Sequence, residues 1–569
     1  MNSAPFFSRM SFKIEYLQAP DYFCCKNRSF DENDSGIIMV FILHRYIFRE
    51  LFKVFALSAM ALGVIMNLGS LLRPIQEYGV GPKQVLDLLY YFMPITFTFV
   101  LPVAALFATS LVYGRIAADN EFDACKASGI SPAMLFYPGL VLAIIVSIAN
   151  LVLSFHVVPV YVHRAESAMK ADAKQILFRN IQRQGYYCLP GGQFRIYADA
   201  VDVKNSGLLG VVIIDADRTR EKKLTTAESA TVNFDSTTKN NEVKVFAKNA
   251  FQFDEHGGAF FKAISVLGDF ESLMADNVKF RKIDQMNAIK ASPITYYPIA
   301  VNAWAAYEQL TTEMLCRDIN DIISSETNNF YQFYNDESLV RFTGEKCVLK
   351  TDQGTIEILG KVILFEYNKN NGELTKSYRG EKLYLQLSTE TETRPSTKII
   401  LTFPNAVWLD RGIEYIKPRY VAKDLALPDS IAAKLGENVI ATAENHRYLA
   451  APSSKLLALI EEMKRKIRVT LFEIKAEVHS RLVFGIGCIT LILIGIELGI
   501  KYRGGHLLTA FGFSSIPAAA LLVFIMAGKN ITKNQFSGVG ADLGVAFMWI
   551  GLLILSIIAV VLYRKILRN

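Results

Sequence analysis

The chain has 569 residues, of which 51% are hydrophobic and 20% charged, with a formal net charge of +7 and a mean hydropathy of +0.24. That is too apolar for a wholly soluble protein and too charged for a bundle sealed in lipid, so a membrane part and a polar part are expected, in more than one domain. The positive excess gathers beside the apolar runs, where basic residues set orientation, so it does not signal nucleic acid as a partner.

Residues 1–38 are polar and unpatterned, with neither the apolar core nor the small-residue cleavage site of a secretory signal. They are expected to be disordered or a mis-called start, because MVFILHRYIFRELFKVF from Met39 reads as a natural beginning. Three uncharged apolar runs follow, 54–72, 88–112 and 133–158. Three more close the chain, 482–500, 507–527 and 543–562, interrupted only by Glu497 near one end. Each is near the ~20 residues a helix needs to cross the hydrocarbon layer. The fold class expected is a membrane α-helical bundle of six transmembrane helices, three before and three after a large extracytoplasmic all-β region.

Arg45, Arg49, Lys53, Arg115, Lys126, Lys501, Arg503, Arg564, Lys565 and Arg568 collect on one side of these runs. The opposite short loops hold Arg73, Lys83, Lys529 and Lys533. The richer side is expected to be cytoplasmic. Both termini and the polar segment 113–130, YGRIAADNEFDACKASGI, then lie inside, and residues 163–481 lie outside. Within that segment Asn120 to Ser128 has good helix formers, and Gly129 stands where a helix would stop. Charge alone leaves two readings open: a solvated turn between spans, or a coupling helix that docks into a cytoplasmic partner.

The outer segment alternates apolar and polar residues between turn signals, first in 166–290 and again in 291–450. Two β units of one kind are expected, separated by a helical connector at 303–325. One large sandwich with an inserted helix is the alternative. A helical stretch, 453–481, leads back to the last membrane part, 451–569.

No Ser–His–Asp or paired-carboxylate arrangement stands out, and no G-x-x-x-x-G-K-[ST] loop is present. The chain reads as a non-enzyme whose ATP chemistry, if any, belongs to a separate polypeptide. Seven cysteines form no CxxC and no metal spacing. No cofactor or metal is expected, and nothing in the spacing selects a disulfide pair.

Four stretches resemble the lipopolysaccharide-export permeases of the LptF/LptG type. RYIFRELFK leads into the first span. MPITFTFVLPVAALFATSLVYGRIAADNEFDACKASGIS covers the second span and the polar segment, with Pro94, Pro102, Glu121, Ser128 and Gly129. Pro159 follows the third span, and AEVHSRLVFGIGCITLILIGIELG opens the second triplet. The resemblance implies a permease of an ABC-type exporter, paired in the bacterial inner membrane with a second permease subunit or itself and with a cytoplasmic ATPase dimer.

It further implies that 115–129 is the coupling helix, with Glu121 as the ATPase-facing acid among Asn120, Asp123, Ser128 and Gly129. The outer β region would be a jellyroll that receives lipopolysaccharide or a related glycolipid and passes it to a periplasmic jellyroll bridge protein. The cavity would form from the first and fifth spans. Arg73 matches a basic position facing that cavity, where a guanidinium suits head-group phosphates; an interfacial anchor is the alternative. The segment 291–450 exceeds the usual family length and reads as a fused extra jellyroll continuing the lipid path. No role is assigned to Glu497, His479 or Arg481. A membrane-anchored β scaffold without transport is the competing function.

Overall fold

The computed structural model describes residues 32–569 apart from 79–81, 172, 189–193, 203–206, 216–222, 236–241, 255–256, 270–276, 326–328, 351–353, 370–371, 391–395, 411–412, 437, 446–448, 503–506, 535–537 and 569. Helix α1 (Glu32–Tyr78) begins ahead of Met39. The last residues of the supposed extension are therefore helical, and the rest of it lies outside the described residues. Glu32 and Asp34 suit a helix start, and an anchored apolar helix extends without a second nucleation cost.

Helix α2 (Pro82–Ala118) runs through Pro94 and Pro102. After α3 (Glu121–Ala127), α4 (Pro132–Val152) starts with Pro132, whose missing N–H costs nothing in the first turn. A π turn at Leu153–Val157 leads into α5 (Val158–Ala171). Pro159 cannot donate to the carbonyl four residues back, so the helix widens rather than staying regular. Helix α6 (Ala173–Gln184) ends this part.

The first sheet is an antiparallel meander of β1 (Tyr186–Cys188), β2 (Phe194–Asp202), β3 (Gly207–Asp215), β4 (Lys223–Asp235), β5 (Glu242–Asp254) and β6 (Gly257–Asp269). Its inner face carries Ile196, Val211, Ile213, Val232, Val243, Val245 and the small residues Ala227, Ala230, Ala247 and Ala250. Leu177 and Ile181 of α6 pack onto it. The inward phase switches along one line: Ala227 then Ala230 on β4, Ala247 then Ala250 on β5. Pairing skips at the same line, between Ser229↔Lys248 and Ala227↔Ala250. Gly210 and Asn249, with φ of 59° and 49°, lie on it. Left-handed residues here crease the sheet over its own apolar side.

Helices α7 (Ile283–Ala291) and α8 (Tyr297–Ile323) precede the second sheet. That sheet comprises β7 (Tyr331–Tyr334), β8 (Ser338–Thr343), β9 (Lys346–Lys350), β10 (Thr355–Asn368), β11 (Leu374–Glu390), β12 (Ser396–Asp410) and β13 (Ile413–Ala426). Its order is β13-β12-β11-β10-β8-β7, with β9 paired to β10. It too carries left-handed residues, Gly360 and Asn405, beside breaks in pairing.

Its inner face differs from the first in what covers it. Ala303, Ala306, Tyr307, Leu310 and Met314 of α8 share one core with Phe333, Phe342, Leu364, Leu383 and Phe403. The inner face of the sheet within 291–450, where a fused extra jellyroll was expected, is covered by a helix. Each sheet has its own core.

Short helices α9 (Asp429–Ala432) and α10 (Val439–Glu444) lead to α11 (Ser454–Lys501), α12 (Leu507–Lys533) and α13 (Gly538–Arg568). Among the described residues six helices are long and apolar enough to cross a membrane: Phe41–Gly69, Val85–Ala118, Pro132–Ala168, Ser454–Lys501, Ser515–Lys533 and Gly540–Ile566. Three precede the sheets in the chain and three follow. Leu57, Ile65, Val523 and Val561 stand exposed on them, as lipid contact requires. At 48 residues, α11 is about 70 Å long, more than a bilayer's thickness.

Candidate coupling site and its link to the sheets

The polar segment folds as a short helix bounded by two left-handed residues. Helix α2 stops at Ala118, and Asn120 takes φ 58° before α3 begins. The coupling helix expected over 115–129 is therefore broken. Arg115 to Ala118 complete α2, and only Glu121–Ala127 form the separate helix of about two turns. Asn is among the few residues that adopt this backbone without large cost.

The other end closes as the glycine suggested. Gly129 has φ 83°, its N–H donates to the Lys126 carbonyl at 3.0 Å, and the Ile130 N–H donates to the Cys125 carbonyl at 3.1 Å. This pair of bonds is the Schellman stop. Ser128 Oγ donates to the Ala124 carbonyl at 3.0 Å, which trims the same end.

One face of α3 is anchored. Phe122 is buried against Phe136 of α4, in a core with Tyr113, Ile47 and Leu51. Asn120, Glu121, Asp123 and Ser128 are all exposed. Phe122 inward and Glu121 and Asp123 outward make α3 a fixed acidic knob rather than a loose loop. Arg115 on α2 reaches Glu50 on α1 at 3.3 Å, tying the neighbouring helix ends.

Helix α2, which leads into the knob, meets α11 through a seam of small residues. A Cβ at Gly499 would lie 2.5 Å from the Ser110 carbonyl oxygen and 3.0 Å from the Gly114 nitrogen. A Cβ at Gly495 would lie 2.9 Å from the Leu106 carbonyl oxygen. Backbones of α2 and α11 therefore meet directly, as small residues allow between membrane helices. Glu497, beside this seam, is 3% exposed.

The far half of α11 is gripped by the β region in two places. At its start, Ser453 caps the helix by accepting from the Leu456 N–H at 3.1 Å. The Ser453 N–H in turn donates to Glu313 of α8 at 3.1 Å. Just before the apolar part, Glu477 accepts from Arg481 Nε at 3.1 Å and from Lys529 of α12. Arg481 also donates to the carbonyls of Lys279 and Arg281, at 2.7 and 3.3 Å, in the segment that follows the first sheet. Its guanidinium lies over Phe155 of the π turn. Trp549 Nε1 donates to His479 Nδ1 at 3.3 Å, adding α13.

Arg481, which sequence reasoning left without a role, is thus a joint between the β region and the bundle, and His479, also left without one, ties α11 to α13 within the bundle. Burial holds the Lys279 ammonium below its ordinary value, which fits its place beside this cationic cluster. Arg73 falls in the last turns of α1, and its side chain lies outside the described residues.

The family model for the lipopolysaccharide export system permease LptF/LptG matches residues 45–565. No curated protein matches the chain. The matched range takes in both membrane parts and both sheets, nearly the whole chain. By that match the chain belongs to the lipopolysaccharide export permease family LptF/LptG.

Proposed function

We propose that this permease subunit works in an ABC-type exporter that extracts lipopolysaccharide or a related glycolipid and hands it to a periplasmic jellyroll bridge. It pairs with a second permease of the family, or with itself, and with a cytoplasmic ATPase dimer. Termini and α3 face the cytoplasm and both sheets face the periplasm.

The energetic need is plain. At ~0.8 kcal/mol per CH₂, a 14-carbon acyl chain resists extraction by about 10 kcal/mol, and several chains multiply that. ATP supplies the work, through a partner that presses on Glu121, Asn120, Asp123, Ser128 and Gly129. The creased first sheet, lined by Ala and Val, supplies the apolar jellyroll surface that receives the chains. Arg73 meets phosphates of the head group. The second sheet, filled by α8, serves as a brace on α11 rather than as a conduit.

One observation carries this reading: a single helix, α11, meets α2 at Gly499 and the β region at Ser453 and Arg481. The test is Glu121→Ala, an exposed site where folding is little affected. The variant is expected to lose copurifying ATPase and lipid export together. Intact ATPase association and export would favour the scaffold reading.

A further inference from the structure

Cys316 on α8 and Cys347 on β9 place their sulfurs 3.1 Å apart. Both residues are buried, at 8% and 3% exposure. The approach is fixed by a third residue. Asn320, one turn after Cys316, donates from Nδ2 to the Cys347 carbonyl and accepts the Cys347 N–H at Oδ1, both at 2.9 Å. That two-bond clamp holds β9 flat against α8 and leaves the two thiols facing each other.

Non-bonded sulfurs do not rest comfortably at such a distance, whereas a small closure brings them to bonding range. Besides each other, Cys316 Sγ meets Asn320 Nδ2 at 4.0 Å, and among the described residues no cluster of metal-ligating side chains accompanies the pair. We propose that Cys316 and Cys347 form a disulfide that staples α8 to the second sheet. The proposal rests on the periplasmic placement of the β region, since a disulfide persists only in an oxidising space.

The chemistry is a thiol–disulfide exchange with an oxidised protein dithiol of the envelope. The thiolate of one cysteine attacks the oxidant's disulfide, giving a mixed disulfide and releasing one oxidant thiol. The second thiolate then attacks the bound sulfur, forming the Cys316–Cys347 bond and expelling the reduced dithiol. The permease pair loses two electrons and two protons, and the oxidant gains them. Because both sulfurs are covered in the folded unit, the exchange occurs before α8 settles on the sheet.

Once made, the bond is shielded from reductants by the same burial. Its consequence reaches α11. Glu313, on α8 one turn before Cys316, receives the Ser453 N–H at the start of α11. A staple on α8 therefore steadies the upper grip on α11.

The test uses full-length protein from membranes, acid-quenched, alkylated without reductant and digested with trypsin. Cys316 falls in peptide 291–317 and Cys347 in peptide 347–350, each with a single cysteine. The expected product is the linked pair, two hydrogens lighter than the sum of the separate peptides. A Cys316→Ala/Cys347→Ala double variant is expected to unfold about 5–10 °C lower in mild detergent.

Separate alkylated peptides would overturn the disulfide. A membrane-impermeant maleimide on exposed Cys188, in the same cells, then tells the failures apart. Labelled Cys188 with unlinked peptides refutes the disulfide alone. Shielded Cys188 with unlinked peptides refutes the periplasmic placement and the disulfide with it.

Discussion

Arg481 Nη2 donates to the Lys279 carbonyl at 2.7 Å across 202 residues of chain. The contact joins the segment that leaves the first sheet to the helix that re-enters the bundle. Its guanidinium is neutralised by Glu477, which also holds Lys529 of α12. Removing the acid from this buried group strands Arg481. Glu477→Ala is expected to cost about 3–5 kcal/mol, and Glu477→Gln less, since it keeps an acceptor. Thermal unfolding in mild detergent measures both. A loss below ~1 kcal/mol for the alanine variant would contradict the buried pair.

The α2–α11 seam gives a second expectation. Gly499→Val places carbon against the Ser110 carbonyl and the Gly114 nitrogen, both backbone. Backbone cannot swing aside, so the helices must part, at about 1–3 kcal/mol. Gly129→Ala meets open space but a φ of 83°, and it is expected to cost about 1 kcal/mol through strain alone. ATPase association should survive Gly499→Val, which leaves α3 itself unaltered. A Val variant as stable as wild type would deny the close approach.

The second sheet should fail at alkaline pH. Burial, then the 2.6 Å bond to Asp318, hold the Tyr331 phenol well above its ordinary value near 10. Burial, then Glu366, act likewise on Tyr420. Raised folded values mean the folded unit keeps its protons where the unfolded chain sheds them. Stability is complete below pH ~10 and falls above it, by up to about 1.4 kcal/mol per pH unit for each phenol. Tyr331→Phe should make that fall shallower. Circular dichroism of the β signal between pH 9 and 12 (a range set about the ordinary phenol value) reads it. A flat response would refute the expectation.

Near the C-terminal end of α1, Arg73→Glu is expected to weaken lipid crosslinking at least about tenfold, the scale of a lost charge-assisted contact. Copurification of the partner permease should be unchanged. Unchanged crosslinking would return Arg73 to the role of interfacial anchor.

Much of this was legible in the residues. Six apolar runs announced the spans, and Gly129 announced the end of α3, because both signals are local. The break at Asn120 was missed, although an Asp-Asn pair before Glu121 is the kind of sequence that turns left-handed. Arg481 and His479 could not be assigned, because their partners Lys279, Phe155 and Trp549 are distant in the chain. The filled second sheet was also missed. Its clue is α8 itself, whose stretch from Ala303 to Cys316 holds Glu308 and Glu313 as its charges. A helix apolar on most sides is a buried helix.

The most direct test of coupling measures ATP hydrolysis and lipid release on the same proteoliposomes, with Arg481→Gln beside wild type. The partners and lipid are those copurified with the permease. Hydrolysis should stay within about twofold while lipid release falls about tenfold, a loss of roughly 1.4 kcal/mol in the linked step. Wild-type lipid release from the variant would contradict transmission along α11.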